Sequence, residues 1–587
     1  MEEKLAALNH CRKPQSRLLL LKRWTLLSLT ALFGLLIVSK LSGLVIEWRP
    51  RCGHRDQVFN EPTEPIIQDK NDDMWQTCGD LSGSPVQCSS IEVPMDQFDP
   101  VNSGNKTFTI PLIRLPGKKG SPTLLTNPGG PGGSGFEFLY RRGEQLKALI
   151  GDGFHIVSFD PRGVNSSTPT SSCYPDAKTR DELSRVRAGN VSKDSSEVYA
   201  WTKNFAQACH DTMGEYGKYI NTPQTAADMN SILDALGQDD MFYWGFSYGT
   251  LLGQTYAGLF PERSKRVVID GVVNQFEWYE KNFELESMVD TDSVLYGFFD
   301  ECMKAGTENC ELSSLATSTE ALRQTVVSYL ETLQEEPISV YINNSVYGLL
   351  DYEKILYNGI FPALYKPSTW FSLADNLYKL IQGNATNAFL TYGTPEPKLD
   401  ESNDFVTLND GLTGLNHWPQ GKQEMLDWIM PWLNQSLFIS WNLKSYYLKQ
   451  HWNVPRIHSY VPRKGVETAH PLLILSTTYD PVCPLISAHS AKEAFLDSQI
   501  VEVKGYGHCS IAVASTCAAK ILREFLYEGK LPSAYTQCEV DSQYFVRPDN
   551  GERLIAHRHF EDPEDEKIHL AQLALARDWD YSGMRRY

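Results

Sequence analysis

The pentapeptide Gly245-Phe246-Ser247-Tyr248-Gly249 restricts what this chain can fold into more than any other stretch. An apolar run, Met241 to Trp244, leads into it, and a helix start built of small residues, Thr250 to Ala257, leads out. Strand, sharp turn and helix in that order hold a serine in a strained backbone, its hydroxyl above a sheet and a helix N-terminus beneath it. A structural turn that happens to carry serine is the alternative. Gly-x-Ser-x-Gly alone does not decide between them; the flanking runs favour the functional turn.

A serine hydroxyl is a poor nucleophile until a base takes its proton, so the chain should also supply a histidine and an orienting carboxylate. Pro471 to Thr478 reads as a buried strand ending at Tyr479-Asp480-Pro481, which places Asp480 on the loop at the strand's C-terminal edge. A helix-like stretch, Ile486 to Phe495, and a strand, Gln499 to Val503, then lead to Gly505-Tyr506-Gly507-His508-Cys509. That spacing suits one strand, helix, strand unit with both loops on one edge. Serine, aspartate, histidine is the chain order of α/β-hydrolases. Asp270, at the end of the strand Arg266 to Ile269, is the rival acid, and Asp480 is preferred. His155, inside an apolar run, and His489, in a helix, lack a glycine-rich loop and read as packed or solvated.

Thr123 to Asn127 reads as an apolar strand that becomes a glycine-rich turn, Pro128-Gly129-Gly130-Pro131-Gly132-Gly133-Ser134-Gly135, before a helix. Glycine lets backbone N–H groups approach a ligand with no Cβ in the way. An N–H near Gly130 and that of Tyr248 are the candidate oxyanion donors. A phosphate-binding loop is the rival and is set aside because no Walker lysine follows.

Taken together, Asn127 to Gly135, Phe159-Asp-Pro-Arg-Gly-Val-Asn-Ser-Ser167, Gly245 to Thr250, Asp480-Pro-Val-Cys-Pro484 and Gly507-His-Cys-Ser510 resemble the tripeptidyl-aminopeptidase-like branch of the α/β-hydrolases, to which proline iminopeptidases are related. The resemblance spans Trp75 to Phe545, including Leu531 through Cys538, a segment of the kind that closes the family's fold. It implies an α/β-hydrolase fold, a mostly parallel central sheet flanked by helices. It also implies that short peptides are cut near a free N-terminus through a serine acyl-enzyme, with Ser247 as nucleophile, Asp480 as orienting acid and His508 as base. No metal or organic cofactor is implied.

Between Ser247 and Asp480 the chain spends far more residues than a bare hydrolase core needs, so a large, mainly helical lid is expected at 274–463, between core segments 74–273 and 464–545. Its aromatics, among them Trp278, Tyr279, Phe283, Tyr296, Phe298, Phe299, Trp370, Phe371, Tyr378, Trp428, Trp432 and Trp441, are expected mostly as lid core. Near its entrance stand Glu277, Glu280, Glu284, Glu286, Asp290 and Asp292. A carboxylate facing the cleft would pair with a substrate α-ammonium; Glu277, Glu280 and Glu284 are the candidates, against a solvated helix face.

Trp24 to Ile46 is an apolar stretch broken only by Lys40, long enough at about 1.5 Å per residue to cross a ~30 Å hydrocarbon core. Arg12, Lys13, Arg17, Lys22 and Arg23 precede it. The expectation is a cytosolic tail (1–23), a transmembrane signal anchor (24–46), a linker (47–73) and a luminal or extracellular hydrolase. A cleaved signal peptide and secretion are the alternative.

Cysteine usage agrees with such a compartment. Cys78 with Cys88, Cys173 with Cys209, Cys302 with Cys310 and Cys517 with Cys538 are candidate clasps, and Cys483 with Cys509 a candidate bridge holding Asp480 against His508. Zinc binding by cysteines is disfavoured for want of a Cys-x-x-Cys pair. Cys52 is left over and could link two chains. Sequons stand at Asn105, Asn190, Asn343, Asn384 and Asn434, and one at Asn165 that is expected to be unused because its loop runs near the site. A net charge of −18 argues against nucleic-acid binding. The polar tail, 546–587, contains an amphipathic stretch, Ile568 to Leu575, expected as a loose tail rather than a docked one.

Two other functional classes stay open: an esterase, lactonase or thioesterase acting on a small metabolite, since the same residues handle any acyl carbon, and a non-catalytic recognition module on a hydrolase scaffold. Loss of a triad residue or of the oxyanion glycines would mark the module, and neither is lost here.

Overall fold

A computed structural model describes residues 74–81, 83–186, 191–280, 286–393, 401–433, 435–439, 443–547 and 560–578. Its strands are β1 Gln76–Leu81, β2 Ser84–Pro94, β3 Thr107–Leu115, β4 Thr123–Asn127, β5 His155–Phe159, β6 Met241–Phe246, β7 Ser264–Asp270, β8 Ile338–Asn343, β9 Val346–Leu350, β10 Leu473–Tyr479, β11 Gln499–Tyr506 and β12 Thr536–Glu539. One sheet runs in the order β1-β2-β3-β5-β4-β6-β7-β10-β11-β12, and β8 and β9 form a separate hairpin. β1, β2, β3 and β5 pair antiparallel in turn. From β5 onward every neighbour is parallel. Parallel pairing needs a crossover between strands, so all the C-terminal strand ends gather on one edge, where such folds place their sites.

Sequence explains why these strands lie inside. Every residue of β4 and β5 is buried, as expected for strands covered on both faces. Their alternate side chains enter two different cores. Leu125, Val157, Tyr243, Val267 and Ile269 pack on one face. Leu124, Ile156, Trp244 and Val268 pack on the other. The flanking helices carry explicit start and stop signals. Ser134 accepts a hydrogen bond from the Glu137 N–H to open helix Gly135–Ile150, and Asn221 caps helix Thr222–Leu236, which ends at Gly237 in the left-handed conformation.

The chain between β7 and β10 is mostly helical, with the β8–β9 hairpin inside it. Phe298, Phe299, Leu322 and Trp370 form a core of its own, joined by Phe545 from beyond the sheet. It is not freestanding. Trp278, Tyr279, Phe405 and Trp452 belong to the core on one sheet face, while Tyr296 stays 45% exposed. Phe283 and Trp441 lie outside the described residues.

The expectation of a loose C-terminal tail is corrected. Pro563–Asp578 is a helix, and its Ile568, Ala571 and Leu575 are buried in the core on the second sheet face. Those positions make one helical stripe. Polar bonds fix it further: Gln572 Nε2 donates to Ser515 O at 3.1 Å and Ser368 Oγ to Ala576 O at 2.9 Å.

Cys78–Cys88, Cys173–Cys209, Cys302–Cys310 and Cys517–Cys538 are disulfide-bonded within the chain, which points to an oxidising compartment. Among the described residues no helix is long and apolar enough to cross a membrane. The expected anchor, its tail and linker, and Cys52 lie outside the described residues, as do Asn190, Asn434 and Glu284. Asn105, Asn343 and Asn384 are exposed.

Candidate active site

β6 ends at Phe246, and Ser247 turns the chain into helix Tyr248–Leu259 with φ 55 and ψ −125. A non-glycine residue in that region is strained and persists only where its surroundings force it. They do so here. The Ser247 N–H donates to Asp270 O at 3.0 Å, and the Thr250 N–H donates to Ser247 O at 2.8 Å. A Cβ on Gly249 would stand 2.6 Å from Asn127 O, and one on Gly245 would strike Gly249 O. Both glycines of the pentapeptide are therefore required by close backbone approach.

Three strands along the sheet, after β11, the His508 ring is bracketed. Its Nδ1 lies 2.9 Å from each Asp480 oxygen, and both side chains are fully buried. Asp480 accepts from further donors: the Val482 and Cys483 N–H groups at 3.0 and 2.8 Å on Oδ1, and the Cys509 N–H at 2.9 Å on Oδ2. The His508 N–H donates to Tyr365 O at 2.9 Å, and the Tyr365 ring stands edge-on to the imidazole at 4.9 Å. Asp270, the rival acid, instead accepts from Ser510 N–H and Ser510 Oγ at 2.6 and 2.7 Å. Burial pushes its carboxyl up to about 6.

The expected Cys483–Cys509 bridge is not formed: both are free, buried thiols. The Asp480 carboxylate takes over the clasp, since it accepts an N–H from each of these two residues. Each sulfur has another neighbour. The Cys483 side chain is hydrogen-bonded to that of Ser247, and burial, then the Asp480 charge, raises its thiol pKa well above the ordinary range. Cys509 packs against Gly271, where a Cβ would come 2.5 Å from its Sγ. The first contact sets the Ser247 turn beside the Asp480 loop, and the second sets the end of β7 beside the His508 loop.

Gly129 lies on the elbow, so that a Cβ there would be 2.9 Å from Ser247 Cβ and 3.0 Å from Tyr248 N. Gly130 follows at φ 117. Tyr248 opens its helix, and the first N–H groups of a helix have no intrahelical partner. Gly130, Gly132 and Gly135 do carry the Gly-x-Gly-x-x-Gly spacing of dinucleotide loops. The loop's packing serves another purpose: besides the elbow on one side, Asn403 Nδ2 donates to Pro131 O at 3.1 Å and Ser402 Oγ sits where a Gly132 Cβ would be.

Comparison with known proteins agrees with the fold. The family described as "alpha/beta hydrolase fold" matches residues 122–327, and the family described as "TAP-like protein" matches residues 441–538. The chain has the α/β-hydrolase fold. It is 26% identical over 469 residues to Serine protease Hip1 of Mycobacterium tuberculosis, covering 77% of this chain and 87% of that protein. It is 35% identical over 225 residues to Tripeptidyl aminopeptidase of Streptomyces lividans, covering 36% of this chain and 40% of that one. Carboxylesterase B of Mycobacterium tuberculosis is 24% identical over 532 residues, 86% of this chain and 96% of that one.

Three carboxylates after β7, those of Glu277, Glu286 and Asp290, are crowded rather than solvated. Glu277 is half-buried, and burial, then the charges of Glu286 and Glu280, push its carboxyl up to about 7. Its Oε2 has no hydrogen-bond partner among the described residues. Glu286 accepts from Asn274 Nδ2 and from Ser487 Oγ, on the helix that follows Asp480. Asp290 is pushed up to about 6 by burial and by Asp480 itself. Glu280 is exposed.

Sequence reasoning missed a further buried carboxylate. Asp410 accepts from the Thr222 N–H at 2.8 Å, Thr222 Oγ1 at 2.6 Å and Trp278 Nε1 at 2.8 Å. Thr222 Oγ1 in turn receives the Tyr248 hydroxyl at 2.6 Å. The residue after Ser247 is thus tied through one threonine to the segment between β7 and β10. No local motif marks Asp410, nor Tyr365. Cys483 stood within a recognised motif but was assigned a bond that it does not make.

Proposed function

We propose that this α/β-hydrolase is a serine exopeptidase that releases residues or short peptides from free N-termini through an acyl-enzyme. The observation that carries the proposal is a serine held at positive φ on the β6 turn, on the same sheet edge as a histidine whose Nδ1 is held by both oxygens of a buried aspartate.

In this mechanism Ser247 Oγ attacks the substrate carbonyl as His508 Nε2 takes its proton. Asp480 keeps the other ring nitrogen protonated and stabilises the imidazolium. The N–H of Tyr248 and one near Gly130 receive the oxyanion, each worth about 10²-fold or more. His508 then protonates the leaving amine, and water hydrolyses the acyl-enzyme by the reverse route. The segment 274–463 acts as the lid. Glu277, with a buried oxygen left unbonded, pairs with the substrate's α-ammonium. The names of two relatives, Serine protease Hip1 and Tripeptidyl aminopeptidase, favour peptide over ester. The four disulfides favour an oxidising compartment, in which we place the domain behind the Trp24–Ile46 anchor, with glycans on the exposed Asn105, Asn343 and Asn384.

Carboxylesterase B, aligned over most of both chains, favours a second reading, ester hydrolysis by the same residues. Matched peptide anilides with free and acetylated N-termini, a short-chain ester and a Ser247→Ala control separate the two. Turnover confined to free-amine peptides and lost in the variant is expected. Ester turnover without peptide turnover selects the second reading, and turnover that survives Ser247→Ala overturns both.

A further inference from the structure

Cys483 has no place in the mechanism above, yet its surroundings are chemically specific. One ligand atom each from Asp480, Cys483 and His508 lies within 4.8 Å of the other two, and all three residues are buried. Thiolate sulfur, imidazole nitrogen and carboxylate oxygen are the three donor types from which zinc sites are built, with metal–ligand distances of about 2.0–2.3 Å. Donors around one tetrahedral ion then stand roughly 3.3–3.8 Å apart, so an adjustment of about an ångström by these side chains closes the set. Ser247 interacts with the Cys483 side chain and so stands next to this set.

Charge favours such an ion as well. Coordination releases the thiol proton to solvent, R–SH + M²⁺ giving R–S–M⁺ + H⁺. The thiolate and the Asp480 carboxylate then neutralise the dication while His508 binds uncharged. A neutral assembly avoids the cost of an unpaired buried charge. The sulfur and nitrogen donors exclude magnesium and calcium, which take oxygen ligands, and select a borderline-soft ion.

We propose that Asp480, Cys483 and His508 form a binding site for a zinc-type divalent cation, and that the bound ion reversibly inhibits the enzyme. The binding half stands on the donor set alone. The inhibitory half rests on the catalytic reading of Ser247, Asp480 and His508: an ion on this set either occupies the lone pair that would take the serine proton or pulls His508 and Asp480 apart.

The test separates the two halves. Metal-stripped full chain is titrated with Co²⁺, whose thiolate charge-transfer absorption reports sulfur ligation, and with Zn²⁺ in equilibrium dialysis, for the native protein, Cys483→Ala and Cys509→Ala. We expect one Zn²⁺ per chain, a cobalt–thiolate band in the native protein and in Cys509→Ala, and a loss of affinity in Cys483→Ala beyond the roughly 10–100-fold that an outer-shell change costs. Activity in Zn²⁺, as a fraction of each variant's own metal-free rate, should vanish in the native protein, return with chelator, and be insensitive in Cys483→Ala. Cys483→Ser, which keeps a hydroxyl beside Ser247 but is a poor zinc ligand, replaces the alanine variant if that one does not fold. No cobalt–thiolate band, or equal Zn²⁺ affinity with and without the thiol, overturns the site. Binding at full catalytic rate overturns the inhibition. If no substrate is turned over at all, the catalytic reading fails while the spectra still decide the site.

Discussion

Asp480→Asn probes the chemistry with little change of shape. In the native protein Oδ1 accepts two backbone N–H groups, from Val482 and Cys483, while Oδ2 accepts the Cys509 N–H, and His508 Nδ1 lies 2.9 Å from both oxygens. Asparagine offers one oxygen and one NH₂. With its oxygen at the Oδ1 position it keeps two backbone bonds, but the NH₂ then faces the Cys509 N–H and His508 Nδ1. The imidazole must accept there, so its proton moves to Nε2, the tautomer that cannot take the Ser247 proton. The reverse orientation orphans two amides and is the worse choice. The expected loss in kcat is about 10⁴-fold, on the order of 5 kcal/mol of transition-state stabilisation. The misfaced N–H costs about 1–3 kcal/mol of stability. Steady-state kinetics on a free-amine peptide anilide, with a thermal melt to establish folding, measure both. Asp270→Asn is the control: Asp270 bonds Ser510 rather than the imidazole, so that variant should lose stability while keeping kcat within about tenfold. A folded Asp480→Asn with near-native kcat, or an Asp270→Asn as dead as expected for Asp480→Asn, would refute the assignment of the acid.

Glu277 titrates near 7, neutral below and ionised above, so KM for free-amine peptides should fall as pH rises through about 7 and climb again as the peptide's own amine deprotonates near 7.7–8.0. Glu277→Gln should abolish the first limb of that profile, and an unchanged profile removes Glu277 from the amine site. Gly249→Ala puts a Cβ 2.6 Å from Asn127 O, so the elbow must move; a loss of roughly 1–3 kcal/mol in denaturant unfolding is expected, together with reduced turnover. Alkylation of denatured, unreduced protein should label Cys483 and Cys509 but none of the eight disulfide-bonded cysteines, and a peptide cross-linked between 483 and 509 would contradict the structure. Leu575, fully buried, anchors the C-terminal helix. Leu575→Ala should weaken its docking by about 2–5 kcal/mol, read as faster amide exchange through Pro563–Asp578, and unchanged exchange would mean that the helix does not depend on this contact.

Much of the fold was legible because its signals act over a few residues. The apolar run into Gly245 and the small residues after Gly249 prescribe a strand, a turn and a helix, and the same holds for Thr123 to Gly135. The crossover between β10 and β11 follows from two strand-like runs around a helix-like one, and parallel pairing then places the Asp480 and His508 loops on one edge. The tail misled for a physical reason. Its stripe of Ile568, Ala571 and Leu575 was visible, but an amphipathic helix does not reveal which surface covers it, and here the second face of the sheet does.

By itself the sequence determined the order of elements, the glycines that allow the Ser247 turn and the candidate residues at the strand ends, because backbone propensity, turn sterics and hydrophobic period are local. Only the tertiary structure decided which partners meet. Cys483 contacts Ser247 rather than bonding Cys509. The His508 N–H finds the carbonyl of Tyr365, and Asp410 reaches Tyr248 through Thr222. Each of these contacts joins residues far apart in the chain: the first is set by the order of β6, β7 and β10 in the sheet, the other two by how the segment between β7 and β10 packs on the sheet edge, and no short stretch of sequence encodes either.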